Sequence, residues 1–289
     1  MPSGREEYEV DTIIARKMWG TLESFHSMVY FVPEATEEYV QAGLERRGAH
    51  YLASRSAPMG RVGPEVVHAS FFGFAESAVR RYIPACWEST TPEALIAARF
   101  RAVDRALRRI LGSEVDSQEM RKAAELASLA AAACPNEGRV LFAATAAVVP
   151  PAEPHLVLWH ALTLFREFRG DGHNAVLTQR RIDPVVAHAW YTASPAGPKE
   201  DFYKKTRGFS VEAWKEADRV LIGLGYVDAD GRLTEHGASE RESIEVATDE
   251  AAMAPWLAIG QDEADWLRAT VRPWSRAIIA SGAMASVIA

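Results

Sequence analysis

The sequence has 289 residues with a formal net charge of −7, and 48% of them are hydrophobic and 25% charged. This is the composition of a soluble globular chain, so collagen-like, fibrous and disordered classes are excluded and a polyanionic partner is disfavoured. Two cysteines are too few for a disulfide scaffold or a zinc cluster, and without a signal-peptide core or a membrane-length apolar run we expect a soluble, cytoplasmic protein.

Apolar residues recur every three to four positions along most of the chain, and this periodicity predicts a mainly α-helical fold. Helices bounded by capping residues, glycines and prolines are predicted at 11–31, 35–47, 64–74, 92–111, 117–134, 139–148, 154–168 and 173–179. Gly170 and Gly172 on either side of Asp171 predict a tight turn between the last two helices. His173 would then lie near a helix N-terminus, where its imidazole stays neutral.

Segment 208–245 has the most specific local pattern in the chain. A capped helix that ends at Gly225, a hairpin of two short strands (226–228 and 232–234) and a charged helix from Ala238 follow one another. This order resembles the recognition helix, wing and following helix of winged-helix proteins of the MarR type. We therefore expect a mainly α fold, with a helical body and a C-terminal winged-helix-like unit whose wing is a small β-hairpin.

The Pro/Gly-rich stretch 194–199 is the best linker candidate. A chain of this length can hold two domains or one elaborate one. We predict three parts: an N-terminal helical domain at 1–112, a central helical segment at 113–193 that carries the string RGDGH (Arg169 to His173), and a winged-helix-like C-terminal domain at 194–289.

The charge of the C-terminal domain disfavours DNA binding. Its predicted recognition helix has fewer cations than carboxylates, with Lys215 and Arg219 against Glu212, Glu216 and Asp218. The turn of the wing is acidic as well, whereas base edges and phosphates are normally contacted by cationic and amide side chains. We therefore interpret the winged helix as a scaffold or a dimer element and expect a homodimer, with DNA as a disfavoured partner.

Other motifs give no sign of nucleotide or covalent chemistry. The arginines of helix 92–111 lack neighbouring aromatics and are interpreted as a solvated face: Arg99, Arg101, Arg105, Arg108 and Arg109. The sequence has no nucleophile elbow, Walker A loop or dinucleotide fingerprint. Cys86 and Cys134 lie among apolar residues, which is typical of a core position. The cofactor is therefore unknown.

Two polar stripes on otherwise apolar helices form the candidate site. Their members are Glu23, His26 and Tyr30 on the first helix and His160, Thr163 and Glu167 on helix 154–168. Glu23 and His26 have a spacing that metal-binding bundles use. No second pair completes a dinuclear site, so a polar pocket or a surface stripe is favoured over a metal site.

We expect these stripes to border one pocket for a small molecule, around which His26, Tyr30, His160, Glu167 and His173 converge. The catalytic candidates are His26, Tyr30, Glu167 and His173, and the substrate-binding candidates are Glu23, Arg55, Met59, His160, Arg169 and Asp171. In this scheme the histidines exchange protons, the glutamates orient them, Tyr30 donates a hydrogen bond and an arginine clamps an anion. Two structural alternatives stay open: RGDGH as a hydrogen-bonded corner between helices, and Arg55 bonded to loop carbonyls.

The same motifs together resemble an actinobacterial family of helix-turn-helix or winged-helix proteins. The strings that carry the resemblance are His26…Tyr30-Phe31, Arg55-x-Ala57-Pro58-x-Gly60, Trp159-His160, Glu167-x-RGDGH and Gly231-Arg232-Leu233-Thr234. RGDGH is the most distinctive of them, and the resemblance covers nearly the entire chain. It implies an all-helical body with a winged-helix part and assigns no activity.

These family motifs fall mainly on the two polar stripes and only once on the wing, which favours a small-molecule function. We expect a small-molecule-binding protein, and specifically an enzyme of specialised (natural-product) metabolism built on a winged-helix scaffold, with an aromatic or acyl substrate. The alternative is a MarR-like transcriptional regulator in which the same pocket senses an effector.

Overall fold

The computed structural model describes residues 10–194, 197 and 200–284, and this part of the chain is almost entirely helical. Its fourteen α-helices are α1 (Ile13–Ser27), α2 (Pro33–Gln41), α3 (His50–Ser56), α4 (Pro64–Ser70), α5 (Glu76–Arg80), α6 (Pro92–Leu111), α7 (Gln118–Ala132), α8 (Val140–Ala146), α9 (Pro154–Gln179), α10 (Pro184–Thr192), α11 (Glu200–Thr206), α12 (Val211–Gly223), α13 (Glu235–Ala251) and α14 (Ala254–Ala280). None of these described helices is long and apolar enough to cross a membrane.

Local sequence signals explain where many helices begin. The side chains that accept an N–H from the first turn of the following helix are Thr91, Ser117, Asp183, Ser210 and Thr234. Proline takes the first position of α2, α4, α6, α9 and α10, where an N–H would have no helical partner. The predicted helix 92–111 is confirmed at both ends as α6, because Thr91 caps its start and Gly112 stops it with a positive φ of 57°.

The helix predicted at 35–47 is wrong at both ends. α2 starts at Pro33, whose fixed φ suits a first helical turn, and it ends at Gln41. Gly43 takes a left-handed conformation (φ 91°), and the N–H of Leu44 bonds back to the carbonyl of Tyr39 at 2.9 Å. This is the arrangement by which a glycine closes a helix.

The turn predicted at Gly170-Asp171-Gly172 is also wrong. α9 runs without a break from Pro154 to Gln179, so RGDGH lies inside one helix and His173 is not at a helix N-terminus. Neither glycine has a positive φ. Two glycines in a helix interior cost about 1 kcal/mol each relative to alanine, and contacts from neighbouring helices, described below, offset that cost.

Two hydrophobic cores organise the described chain. The larger core joins the inner faces of α1, α6, α7, α9 and α14, and we call this part the helical body. It contains Cys86 and Cys134, which confirms their predicted core positions. The smaller core joins α10 and α12 with Leu177 of α9 and Ile244 of α13, and we call this part the C-terminal unit. Because α9 contributes to both cores, one continuous helix connects the two parts.

The predicted strands 226–228 and 232–234 are not formed as strands in the described chain. A single antiparallel bridge joins Val227 and Leu233, and the N–H of Asp228 donates to the carbonyl of Arg232 at 2.8 Å. The Asp228 carboxylate accepts the N–H groups of Asp230 and Arg232, both at 2.9 Å, and so closes a tight turn. The winged-helix assignment stays a prediction.

The predicted linker falls largely outside the described residues, which include only Ser194 and Gly197 of it. The larger core draws residues from all three predicted parts of the chain, from Val10 to Ile278. The three-part division into domains therefore stays a prediction that packing alone does not test.

Candidate functional site

Eight polar side chains meet where α1, α3, α6 and α9 pack, and we call this group the polar core. Its members are Glu23, His26 and Tyr30 from α1 and the turn after it, Arg55 from α3, Arg99 from α6, and Thr163, Arg166 and Glu167 from α9. The three α9 residues share one face because positions three and four apart are neighbours on a helix. The polar core thus contains five of the predicted site residues.

Arg55 and Glu167 form a two-pronged ion pair at the centre of this group. The Arg55 Nε and Nη2 atoms donate to the two carboxylate oxygens of Glu167 at 2.9 and 2.7 Å. Arg166 donates to the same carboxylate at 2.8 Å, and Tyr51 accepts a further bond from Arg55 at 3.0 Å. Both Glu167 oxygens are therefore engaged, and the charge of Arg55, a predicted anion clamp, is already met by Glu167.

His26 is fully buried and both of its ring nitrogens have partners. Its Nδ1 lies 2.9 Å from the Thr163 hydroxyl oxygen, and that hydroxyl donates its hydrogen to the Trp159 carbonyl at 2.9 Å. Nδ1 must therefore be the donor, which leaves Nε2 to accept from the Tyr30 hydroxyl 3.4 Å away. Burial lowers the pKa of His26 well below its ordinary value, and the positive charge of Arg166 lowers it further. His26 is neutral in this setting.

A first cleft, which we call the Trp19 cleft, opens beside Glu23 on one side of the α1–α9 contact. Aromatic rings form much of its wall, and it measures about 380 Å³ including its open mouth. The polar and aromatic residues that line it are Trp19, Glu23, His26, Phe165, Arg166, Phe168, Arg169 and Trp256. The Oε2 atom of Glu23 is buried without a hydrogen-bond partner among the described residues. Burial raises the pKa of Glu23 to about 7, against the opposing effect of the Arg166 charge.

A second cleft, which we call the Arg99 cleft, opens beside α6 and α8. It measures about 350 Å³ including its mouth, and its lining includes Arg55, Pro58, Ile96, Arg99, Phe100, Val148, Trp159, His160 and Glu167. Arg99 is only 5% exposed. Its Nη1 atom donates to the Ser54 carbonyl at 2.9 Å, while its Nη2 atom has no partner among the described residues.

Arg99 corrects the expectation that the α6 arginines form one solvated face. Arg101, Arg105 and Arg109 are exposed and pair with Glu38, Glu37 or Glu34, and Arg108 pairs with Asp104. Arg99 instead lies on the buried stripe of α6, four residues after Leu95 and four before Val103. That spacing was the sequence signal for its burial, since residues four apart share a helix face.

His160 and Met59 have different surroundings. His160 lines the Arg99 cleft, and burial lowers its pKa to about 4, with a further lowering by the Arg99 charge. Met59 lies in the short 3-10 turn Ala57–Met59, packs against the larger core and accepts the Ser70 hydroxyl at 3.7 Å through its sulfur. Of these two, only His160 borders a cleft.

The RGDGH residues of α9 bond to neighbouring helices. Arg169 pairs with Asp249 at 2.9 Å and with Glu245 at 3.0 Å, both on α13, and His173 Nδ1 lies 2.9 Å from the hydroxyl of Thr248 on the same helix. The Asp171 carboxylate accepts the N–H groups of Leu141 and Phe142 at 3.0 and 2.9 Å, in the first turn of α8. The motif therefore holds α9 against α8 and α13.

Gly172 belongs to the same contact because a side chain would not fit there. An added Cβ would lie 2.8 Å from Arg139 Nη1 and 3.3 Å from the Ala251 side chain. Arg139 uses the space to donate to the carbonyls of Phe168 on α9 and Ala251 on α13, the latter at 2.6 Å. Arg139, just before α8, thus bonds to both α9 and α13 beside Gly172 of the RGDGH motif.

His173 and Asp171 do not join the other predicted site residues. Neither lines the Trp19 cleft or the Arg99 cleft, and their partners lie on α13 and α8. The expectation of one shared concavity is wrong: His26 lines the Trp19 cleft, His160 lines the Arg99 cleft, and His173 lines neither. His173 is set apart because the helix continues through the glycines. His173 is nevertheless neutral, because burial lowers its pKa to about 4. The sequence analysis attributed this neutrality to a helix N-terminus, but His173 lies inside α9.

Among the described residues, no group of three or more His, Cys, Asp or Glu side chains is placed to hold a metal ion. Glu23 and His26 share a face of α1, as the sequence spacing predicts, and line the Trp19 cleft together. A third ligand next to this pair is missing in that part of the chain.

The C-terminal unit contains two helices joined by a tight turn. α11 and α12 are separated by residues 207–210, where Gly208 has a positive φ of 79° and approaches Ala78 too closely for a side chain. Trp214, Ala217 and Leu221 bury the inner face of α12. Several cations of this surface are already paired with acidic neighbours: Lys204 with Glu200, Arg219 with Glu216 and Arg232 with Asp230.

Comparison with known proteins gives one match. The sequence profile of the helix-turn-helix family matches residues 15–285, which is nearly the full chain. No curated protein and no solved structure matches it.

Proposed function

Because the chain belongs to the helix-turn-helix family, whose fold assigns no chemistry by itself, we propose a function from the site: the helical body binds a small molecule at the polar core. One observation carries this proposal. Glu23 and Arg99 each line a cleft, and each has a buried polar atom without a hydrogen-bond partner among the described residues. An unpaired buried polar atom costs about 1–3 kcal/mol, and more if it is charged, and a bound ligand would remove that cost.

A binding role is better supported than the catalytic role expected from the sequence. Both nitrogens of His26 are engaged, and Glu167 is bonded to Arg55 and Arg166. Proton transfer by His26 would first require Tyr30 to leave Nε2. Burial raises the pKa of Tyr30 above its ordinary value, so its hydroxyl keeps its proton. We therefore propose a sensor or binding site, with natural-product-like apolar ligands as the candidates.

A screen by thermal denaturation tests this proposal. Anionic, cationic and neutral small molecules are added to the purified full chain, and hits are repeated with Glu23→Gln, Arg99→Met and Arg101→Met. Arg101 is the matched control because it lies on α6 but is exposed and pairs with Glu38. We expect at least one compound to raise the melting temperature of the wild type and of the control but not of one cleft variant. If no class of compound does so, the proposal is wrong.

A second function, DNA binding by the C-terminal unit, is supported by the family and by the α11–turn–α12 geometry. In helix-turn-helix proteins the second helix enters the major groove, and dimers read two half-sites. α12 would be that helix here. Light scattering after gel filtration tests the homodimer that such a role needs, and a monomer at micromolar concentration would count against it.

The two functions combine in a ligand-responsive regulator. α9 carries Thr163, Arg166 and Glu167 of the polar core and also Leu177 of the smaller core. α13 is bonded to α9 through the RGDGH contacts and supplies Ile244 to the smaller core. A shift of α9 on ligand binding would therefore reach α12 through the smaller core, in which α9, α12 and α13 pack together.

A further inference from the structure

The polar core holds more positive than negative groups. Its guanidinium groups are those of Arg55, Arg99 and Arg166, and its carboxyl groups are those of Glu23 and Glu167. Arg55 and Arg166 both bond to Glu167, and Arg99 forms no ion pair with any described residue. The polar core therefore has one positive charge more than its carboxyl groups can balance, even when both of them are ionised. Because an unbalanced buried charge is unfavourable, an added anion would stabilise the polar core.

The surplus charge lies at Arg99 because of how that side chain is held. Its guanidinium carbon is 5.3 Å from the centre of the Trp159 ring and 5.7 Å from that of Tyr30, and the Ser54 carbonyl accepts one of its N–H groups. Aromatic faces and a carbonyl fix the direction of a cation but carry no full negative charge. Arg99 lines the cleft, and its Nη2 atom is buried without a hydrogen-bond partner among the residues that the structure describes.

The walls of the Arg99 cleft are mostly apolar. Pro58, Ile96, Phe100, Val148 and Trp159 contribute to them. Arg55 and Glu167 in the lining are paired with each other, and burial keeps His160 neutral by lowering its pKa to about 4. A site with one unmatched cation and apolar walls suits a singly charged ligand with an apolar body better than a phosphate dianion, whose second charge would have no partner.

From these observations, and resting on the proposed small-molecule function, we infer that the Arg99 cleft binds the carboxylate of an apolar organic acid, with Arg99 Nη2 as the donor to that carboxylate. Arg99 Nη2 is buried and is not exposed at the mouth of the cleft. The apolar body of the acid therefore lies towards the mouth, against Ile96, Phe100 and Val148, while its carboxylate reaches inward.

Isothermal titration of the full chain tests this site directly. The probes are phenylacetate, indole-3-acetate and octanoate, each beside its primary amide, together with inorganic phosphate. We expect at least one acid to bind, and its amide and phosphate to bind at least about tenfold more weakly, since the amide keeps the shape but loses the charge. This comparison uses only the wild type, so it does not depend on the folding of a variant.

Variants then locate the bound carboxylate. Arg99→Met should weaken binding of the acid at least about tenfold, Arg99→Lys by less, and Arg101→Met by less than about twofold. Equal binding of acid and amide, tight phosphate binding, or full affinity in Arg99→Met would each overturn the inference. If only amines or neutral compounds bind and do so through Glu23, the small-molecule function stands and the carboxylate site is wrong. If no compound of any class binds, both are wrong.

Discussion

Arg99 donates to the Ser54 carbonyl oxygen at 2.9 Å and forms no ion pair with any carboxylate of the described chain, although it is 5% exposed. The exposed arginines of α6 differ from Arg99 because each has a carboxylate partner. Arg101, Arg105 and Arg109 each form an ion pair with a glutamate. The contacts of Arg99 are the Ser54 carbonyl and the Tyr30 and Trp159 rings, none of which carries a full negative charge. Burial of a cation without a carboxylate partner costs stability. Such costs are typical of binding and catalytic sites, where groups are kept ready for a ligand.

A pair of glycine variants tests the role assigned to RGDGH. Gly172→Ala should lower the free energy of unfolding by about 1–3 kcal/mol, because the new Cβ would lie 2.8 Å from Arg139 Nη1 and 3.3 Å from Ala251. Gly170→Ala is the matched control: its nearest neighbour would be 3.8 Å away, so helix propensity should make it neutral or up to about 1 kcal/mol stabilising. Urea denaturation of both variants measures the difference, and equal effects would show that the motif makes no close contact.

Much of the fold could be predicted from the sequence where local signals decide the structure. Thr91-Pro92-Glu93 and Gly112 fix α6 because a cap, a proline and a left-handed glycine act within one turn. The turn predicted at RGDGH is wrong because Gly172 serves a tertiary contact. A side chain at this position would collide with Arg139, which lies just before α8, and with Ala251 on α13. Such tertiary contacts override the local preference of glycine for turns.

The candidate site was predictable only in part for the same reason. The stripe Thr163–Glu167 follows from helical spacing, and so does the burial of Arg99 between Leu95 and Val103. The partner of Glu167 does not follow, because Arg55 is 112 residues away in sequence and the pairing depends on how α3 packs on α9. Pairings over such separations are set by the assembled core and leave no local pattern.

Glu23 predicts a specific dependence of stability on pH. Its pKa is raised from 4.5 to about 7, so the native state favours the protonated form. Stability contributed by this group is present below pH 4.5 and is lost as the pH rises through about 7. Glu23→Gln should therefore match the wild type near pH 4 and exceed it by about 1–3 kcal/mol near pH 8.

Urea denaturation at several pH values checks this expectation. Glu125→Gln, at an exposed position on α7, is the control for the loss of a carboxylate that is not buried. A Glu23→Gln variant whose stability advantage does not grow between pH 4 and pH 8 would show that Glu23 is ionised at neutral pH in the native state.

The C-terminal unit should bind DNA weakly. α12 has two cations, Lys215 and Arg219, against three carboxylates, and Arg219 and Arg232 are already paired with acidic neighbours. A gel-shift assay with the region upstream of its own gene should show binding at low salt that disappears near physiological salt. Nanomolar, sequence-specific binding at physiological salt would contradict this expectation and favour the regulator.

The free energy of unfolding of the ligand-free Arg99→Met variant tests most directly whether the polar core is an incomplete binding site. If Arg99 is kept for a ligand, removal of its unmatched charge should leave stability unchanged or raise it by up to about 3 kcal/mol in urea denaturation. Arg101→Met, the surface control, should lose at most about 1 kcal/mol. A loss of about 2 kcal/mol or more in Arg99→Met would show that Arg99 stabilises the fold, and would contradict a site that awaits an anion.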